Sequence, residues 1–301
     1  MQIGVVDYGV GNIANVMRCL EYVARTESIK RVSTHKDIQA CDKIVLPGVG
    51  AFGSAMEHLS ARDLDKSLCE YAKSGRYMLG ICLGMQLLFE KSYEFGEYKG
   101  LGLVEGFVAP FGSKDSIEWH IKTNMGFNDI ESKGLDSTKS YPTPNNHLIE
   151  IESRFYKVCT LAPCTHPNGR ESRFDTRCTP SPAPTHLVEN LESIYTNIQT
   201  LYTTNNNKAQ NTHLKIPHIG WNKNFIKKPH NLCASMKDSF YLYFVHSYHV
   251  CCDTRFIIAA CDYGISFPSI IGKENILGIQ PHPERSHEMG FKLMRDFLQL
   301  R

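Results

Sequence analysis

Tyr77-Met78-Leu79-Gly80-Ile81-Cys82-Leu83-Gly84-Met85 is the stretch that decides the fold. The apolar run Tyr77 to Ile81 reads as a buried strand, and the pattern through Met85, Leu87, Leu88 and Lys91 predicts an amphipathic helix directly after it. Glycines two before and two after Cys82 relieve crowding in a tight strand-to-helix turn, which pushes the side chain between them into a cleft. At a helix N-terminus the thiol also meets the positive end of the backbone dipoles, which favours thiolate. A free cysteine is more often a small buried apolar group, and that reading is kept for Cys19, Cys41, Cys69 and Cys261.

Outward from this elbow, short apolar runs alternate with amphipathic stretches, the pattern of an α/β fold with a largely parallel open sheet flanked by helices. Strands are predicted at Ile3 to Val6, Ile44 to Leu46, Leu103 to Val108, Tyr241 to Val245, Ile257 to Ala260 and Ile276 to Gln280. Val16, Leu20 and Val23 share one helical face, Leu64, Leu68 and Tyr71 another, and a closing helix runs through Phe291, Met294 and Phe297.

The character changes between about 130 and 212, where seven of the fourteen prolines fall together with the polar run Thr203 to Asn207. The chain therefore reads as a single domain over 1–301, interrupted by an irregular, partly disordered surface insertion with one helix near Leu187 to Leu201. Glu152-Ser153-Arg154-Phe155 recurs as Glu171-Ser172-Arg173-Phe174, but two copies cannot build a solenoid. Cys159, Cys164, Cys178 and His166 are a conceivable metal set; the Cys-x-x-Cys knuckle usual for zinc is missing, so neither metal nor cofactor is expected.

With 301 residues and 42% hydrophobic content the chain can bury a substantial core. A formal net charge of +2 argues against nucleic acid or a membrane surface as partner. No apolar run approaches the ~18 residues that span a bilayer, and Met1 to Asp7 reads as a first strand rather than a signal peptide. Eleven scattered cysteines, an odd count, fit reduced thiols in the cytoplasm.

A thiolate nucleophile needs a proton carrier, and Gln280-Pro281-His282-Pro283-Glu284 supplies one after a late strand. In extended chain His282 and Glu284 face the same way, so the carboxylate can orient the imidazole. Pro47-Gly48-Val49-Gly50-Ala51-Phe52 adds a glycine-rich turn whose backbone N–H groups, with that of Leu83, can stabilise an oxyanion. All three elements fall at carboxyl ends of strands, where open α/β sheets place their sites.

Together these residues resemble the class I glutamine amidotransferases, a flavodoxin-like fold, and more closely the branch that forms the glutaminase subunit of imidazole glycerol phosphate synthase. Asp7-Tyr8-Gly9-Val10-Gly11-Asn12, Pro217-His218-Ile219-Gly220-Trp221-Asn222 and Tyr243-Phe244-Val245-His246-Ser247-Tyr248 carry the narrower likeness, which covers roughly 1–112 and 213–301. The resemblance implies that Cys82 attacks the glutamine side-chain amide, His282 shuttles protons and Glu284 holds His282. It implies that Gln86, Glu94 and Ser247 bind L-glutamine, that Val49, Gly50 and Leu83 form the oxyanion element, and that Val49 needs a peptide flip triggered by the partner. Asn12, Trp221 and Arg285 would face that partner, a (βα)8-barrel cyclase in a heterodimer. Arg285 replaces the lysine usual after the catalytic Glu, and Pro281 replaces a phenylalanine.

Two other readings stay open. The stretches Ser286-His287-Glu288-Met289-Gly290 and Cys251-Cys252-Asp253 resemble a paralogous branch that feeds ammonia to a sugar amidotransferase in surface-glycan synthesis. A catalytically silent binding module of the same fold is the third, against which the intact triad argues. A peptide-cleaving cysteine hydrolase would leave the partner-facing stretches without a role.

Overall fold

The computed structural model describes residues 1–123 and 215–301, which belong to one folded unit. The 130–212 insertion lies outside the described residues, as do the helix near Leu187 to Leu201 and the Cys159, Cys164, Cys178, His166 set.

The chain opens with β1 (Gln2–Val6), α1 (Ile13–Val23), β2 (Ser28–Val32), α2 (His35–Gln39) and β3 (Lys43–Gly48). Helices α3 (Phe52–Ser60) and α4 (Leu64–Lys73) lead to β4 (Met78–Cys82) and α5 (Leu83–Leu87). Next come β5 (Phe89–Ser92), β6 (Tyr98–Lys99), β7 (Val104–Pro110) and α6 (Lys114–Thr123). The last part holds β8 (His218–Ile226), β9 (Ser239–His246), β10 (Tyr248–Cys252), β11 (Ile257–Tyr263), β12 (Ile265–Lys273), β13 (Ile276–Ile279) and a closing helix, His287–Gln299.

A nine-stranded sheet runs β2-β1-β3-β4-β13-β12-β11-β8-β9. Its first five strands are mutually parallel in the order of a flavodoxin-like doubly wound sheet. The other four join antiparallel, forming a wing. Strand alternation sends Ile3, Val5, Val45, Leu79 and Ile81 into a cluster with Leu20, Val23, Leu293 and Phe297 of α1 and the closing helix. Val6, Ile44, Leu46 and Met78 face the opposite cluster with Phe52, Leu59 and Leu68. Both faces are covered, which is why these strands read as continuous apolar runs. The predicted strand Leu103 to Val108 falls in a second sheet, β10-β7-β5-β6.

Two local expectations are corrected. The helix predicted through Lys91 stops at Leu87, because Phe89–Ser92 pairs with β7 as a strand. Leu87, Leu88 and Phe89 are all buried, and a fully buried run satisfies helix and strand periodicity alike, so tertiary pairing decides. His282 is extended, but Pro283–Arg285 forms a 3-10 turn rather than extended chain. Proline at the first helical position is compatible with such a turn, since the N–H it lacks would have had no partner there.

Candidate active site

The elbow is built by close backbone packing. Cys82 ends β4 with φ 54° and ψ −113°, a strained conformation for a residue with a side chain. A Cβ on Gly84 would overlap the Leu46 carbonyl oxygen, and one on Gly80 would stand 2.5 Å from the Gly84 oxygen. Only hydrogen at both positions lets the turn close against β3. The five-residue α5 lends the thiol less dipole than the longer helix expected, since few peptide units align behind it.

His282 sits just past β13, 4% exposed, its N–H bonded to the Tyr243 carbonyl at 2.8 Å. Its Nδ1 lies 2.8 Å from Glu284 Oε1. A carboxylate oxygen accepts, so Nδ1 donates, which leaves Nε2 as the nitrogen that gains or loses the proton; Nε2 is buried without a hydrogen-bond partner. Burial opposes charge on His282, yet the neighbouring Cys82 and Glu284 outweigh it and push the pKa up to about 10. Ser286, to which the sequence reading gave no part in the site, braces this turn: its hydroxyl donates to the His282 carbonyl at 2.6 Å and accepts from Tyr243 N–H at 2.9 Å.

Cys82 and His282 open into a cavity of about 300 Å³. Val49, Gly50 and Leu83, the expected oxyanion residues, line it, as do Gln86, Glu94 and Ser247. Glu94 accepts from Phe52 N–H at 2.5 Å, and burial raises its pKa. The turn after β3 lies against the elbow: a Cβ on Gly48 would stand 2.7 Å from the Tyr8 hydroxyl and 2.9 Å from Gly84 N.

His246 also lines the cavity, and no motif reading assigned it a role. Its Nδ1 donates to the Tyr248 carbonyl at 2.8 Å, so its Nε2 accepts from His218 Nδ1, 2.9 Å away. Burial lowers both pKa values, that of His218 to about 4, and both rings are neutral. Their signal was present in the His218-to-Asn222 and Tyr243-to-Tyr248 stretches, but a histidine in a strand looks the same whether buried or exposed.

Asn12, Trp221 and Arg285 do not line the cavity. Trp221 is 43% exposed and stacks on His287 with ring centroids 5.3 Å apart, while the Arg285 guanidinium stands 6.0 Å from the Tyr243 ring that meets Trp221 edge-on. Asn12 is half-buried at the start of α1, which packs against the Pro283–Arg285 turn. Among the described residues no cluster of three or more metal-binding side chains occurs, all eight cysteines are free, and no helix is long and apolar enough to cross a membrane.

The family model for glutamine amidotransferase class-I matches residues 4–300. The chain belongs to the class-I glutamine amidotransferase family. It is 32% identical over 299 residues to the imidazole glycerol phosphate synthase subunit HisH of Wolinella succinogenes, covering 99% of each chain. It is 33% identical over 300 residues to the subunit of the same name from Sulfurimonas denitrificans, covering 99% of this chain and 98% of that one. Among solved structures, PurLQS from Thermotoga maritima aligns with a TM-score of 0.53 at 12% identity, covering 99% of this chain and 97% of its own, which shows the shared fold. A class-I glutamine amidotransferase takes its nitrogen from glutamine, and the cavity that Cys82 and His282 line has room for a small substrate.

Proposed function

We propose that the chain is the glutaminase subunit of imidazole glycerol phosphate synthase in histidine biosynthesis, hydrolysing L-glutamine to glutamate and handing the ammonia to a (βα)8-barrel cyclase. End-to-end similarity to subunits of that name carries this reading, and the Cys82, His282, Glu284 arrangement supports it.

In this reading Cys82 attacks the side-chain amide carbon of glutamine, and His282 Nε2 takes the thiol proton and delivers it to the leaving ammonia. Glu284 sets the tautomer that makes Nε2 the acceptor. Water then hydrolyses the thioester with His282 again as base. Backbone N–H groups around Val49, Gly50 and Leu83 receive the oxyanion, and Gln86, Glu94 and Ser247 hold the substrate. Free ammonia is mostly protonated near neutral pH, so transfer needs a sheltered route into a bound partner. The open face of β8 and β9 suits docking: Ile219, Trp221, Phe225 and Tyr241 are exposed on it, around Lys223. Trp221, Arg285 and Asn12 are the proposed contacts with the partner.

An oxyanion turn that rotates into place only on docking keeps turnover low in the isolated chain. Steady-state glutamate release is therefore measured for the chain alone, with the histidine-pathway cyclase and its acceptor ligand, and with a sugar amidotransferase. Strong stimulation by the cyclase is expected. Stimulation by the sugar enzyme alone would move the assignment to the glycan branch, and no glutaminase activity in any mixture would leave a silent binding module.

A further inference from the structure

Gln280 is fully buried, lies just past the strand that leads to His282, and has no role in the chemistry described so far. Three distances determine which way its amide points. Gln86 Nε2 lies 3.2 Å from the Tyr248 carbonyl oxygen and 3.0 Å from Gln280 Oε1, and Gln280 Nε2 lies 3.7 Å from Cys82 Sγ. A backbone carbonyl only accepts, so the Gln86 atom facing Tyr248 must be its NH2. That group's second hydrogen goes to Gln280, whose facing atom must then be the oxygen. The Gln280 NH2 is left turned towards the sulfur, as a donor. His246 Nδ1 bonds the same Tyr248 carbonyl, so the anchor of this chain is itself held from the other side.

We infer that Gln280 is a further catalytic residue, donating a side-chain N–H to the Cys82 sulfur and stabilising its thiolate, with Gln86 fixing the amide in that orientation. The inference rests on Cys82 being the nucleophile. Besides Gln280 and His282, the sulfur has the Val245 carbonyl at 3.9 Å, which can take the hydrogen of a thiol but offers none to a thiolate. When the thiol proton leaves for His282, that contact turns repulsive while the Gln280 N–H bond becomes charge-assisted and strengthens. Gln86 consequently spends both amide hydrogens inside the protein and presents only its oxygen to glutamine.

The test is the pH dependence of Cys82 alkylation by iodoacetamide, followed by mass spectrometry on the full chain, for wild type, Gln280→Met, Gln280→Glu and Gln86→Met. Glutamine kcat and KM are measured in parallel with the synthase partner present. Gln280→Met should raise the alkylation midpoint by about one pH unit and lower kcat roughly tenfold while KM stays nearly constant. Gln280→Glu, which turns acceptor oxygens towards the sulfur, should shift it further. Gln86→Met, which frees the amide to rotate, should shift it less in the same direction. An unchanged midpoint and kcat in Gln280→Met, whatever its thermal stability, overturns the inference. Should that variant fail to fold, an unchanged midpoint in Gln86→Met overturns it instead. Full glutaminase activity in Cys82→Ala would remove the nucleophile reading, and this inference with it.

Discussion

The two halves of the large sheet are built on different terms. In the parallel half, β1, β3, β4 and β13 are buried almost throughout, sandwiched between helices, and they carry the elbow and the glycine-rich turn proposed for the oxyanion and lead into His282. In the wing, the outer strands β8 and β9 alternate buried and exposed residues and leave one face open. The cavity lies where the halves meet: Val49, Cys82 and Leu83 come from the parallel half, and Val245, His246 and Ser247 from the wing. The residues proposed for chemistry that needs sub-ångström positioning sit on the doubly covered half, while the surface proposed for docking belongs to the half with a face to spare. Any partner-induced shift of β9 therefore reaches the cavity wall directly.

The sharpest break between the halves is expected from Cys82→Ala. Glutamine-dependent synthesis should fall at least about a thousandfold, as when a nucleophile is removed elsewhere, while the partner's synthesis from added ammonia continues unaltered. Loss of both activities would mean that the lesion reaches docking. Gly84→Ala tests the elbow's packing: the new methyl meets the Leu46 carbonyl, and chemical denaturation should register a loss of about 3 kcal/mol. An unaffected midpoint would show that the elbow is looser than its geometry implies.

On the wing, Trp221→Ala should weaken partner binding by about 2 kcal/mol, roughly thirtyfold, with little change in the chain's own stability; calorimetric titration with the cyclase measures it. A last effect is expected from acid. His218 is held neutral with a pKa near 4, against about 6.5 in the unfolded chain, so the unfolded state binds more protons between those values. Its contribution is fully present above about pH 6.5 and is lost as pH falls towards 4. Wild type should lose stability over that window, and His218→Gln should lose less. Parallel curves would mean that the His218–His246 pair does not titrate on unfolding.

Legibility in the sequence follows the same division. The parallel strands β1, β3, β4 and β13 announced themselves because both faces are apolar, whereas the exposed edge strand β2 did not, and the glycine spacing around Cys82 identified the turn because no other residue fits it. Strand β8 was harder: His218, Asn222 and Asn224 interrupt its apolar pattern, although Asn224 is fully buried and bonds two backbone carbonyls. Strand β12 was hidden by Pro268, which argues against a central strand yet pairs opposite Ala260. Gln280 stood beside His282 in the motif, but its orientation depends on the Tyr248 carbonyl, 32 residues earlier in the chain.

By itself the sequence determined the wound α/β class, a cysteine elbow at a strand end, a His–Glu pair after a late strand and the likeness to a glutaminase family. Each of these is local, set by a few neighbouring residues and the periodicity of burial. Only the tertiary structure decided that α5 stops at Leu87, that four antiparallel strands complete the sheet, that His246 and Gln280 approach the site, and which end of each amide faces the sulfur. Those outcomes depend on which backbone groups lie opposite a side chain, and hydrogen-bond partners distant in sequence exist only once the sheet has closed.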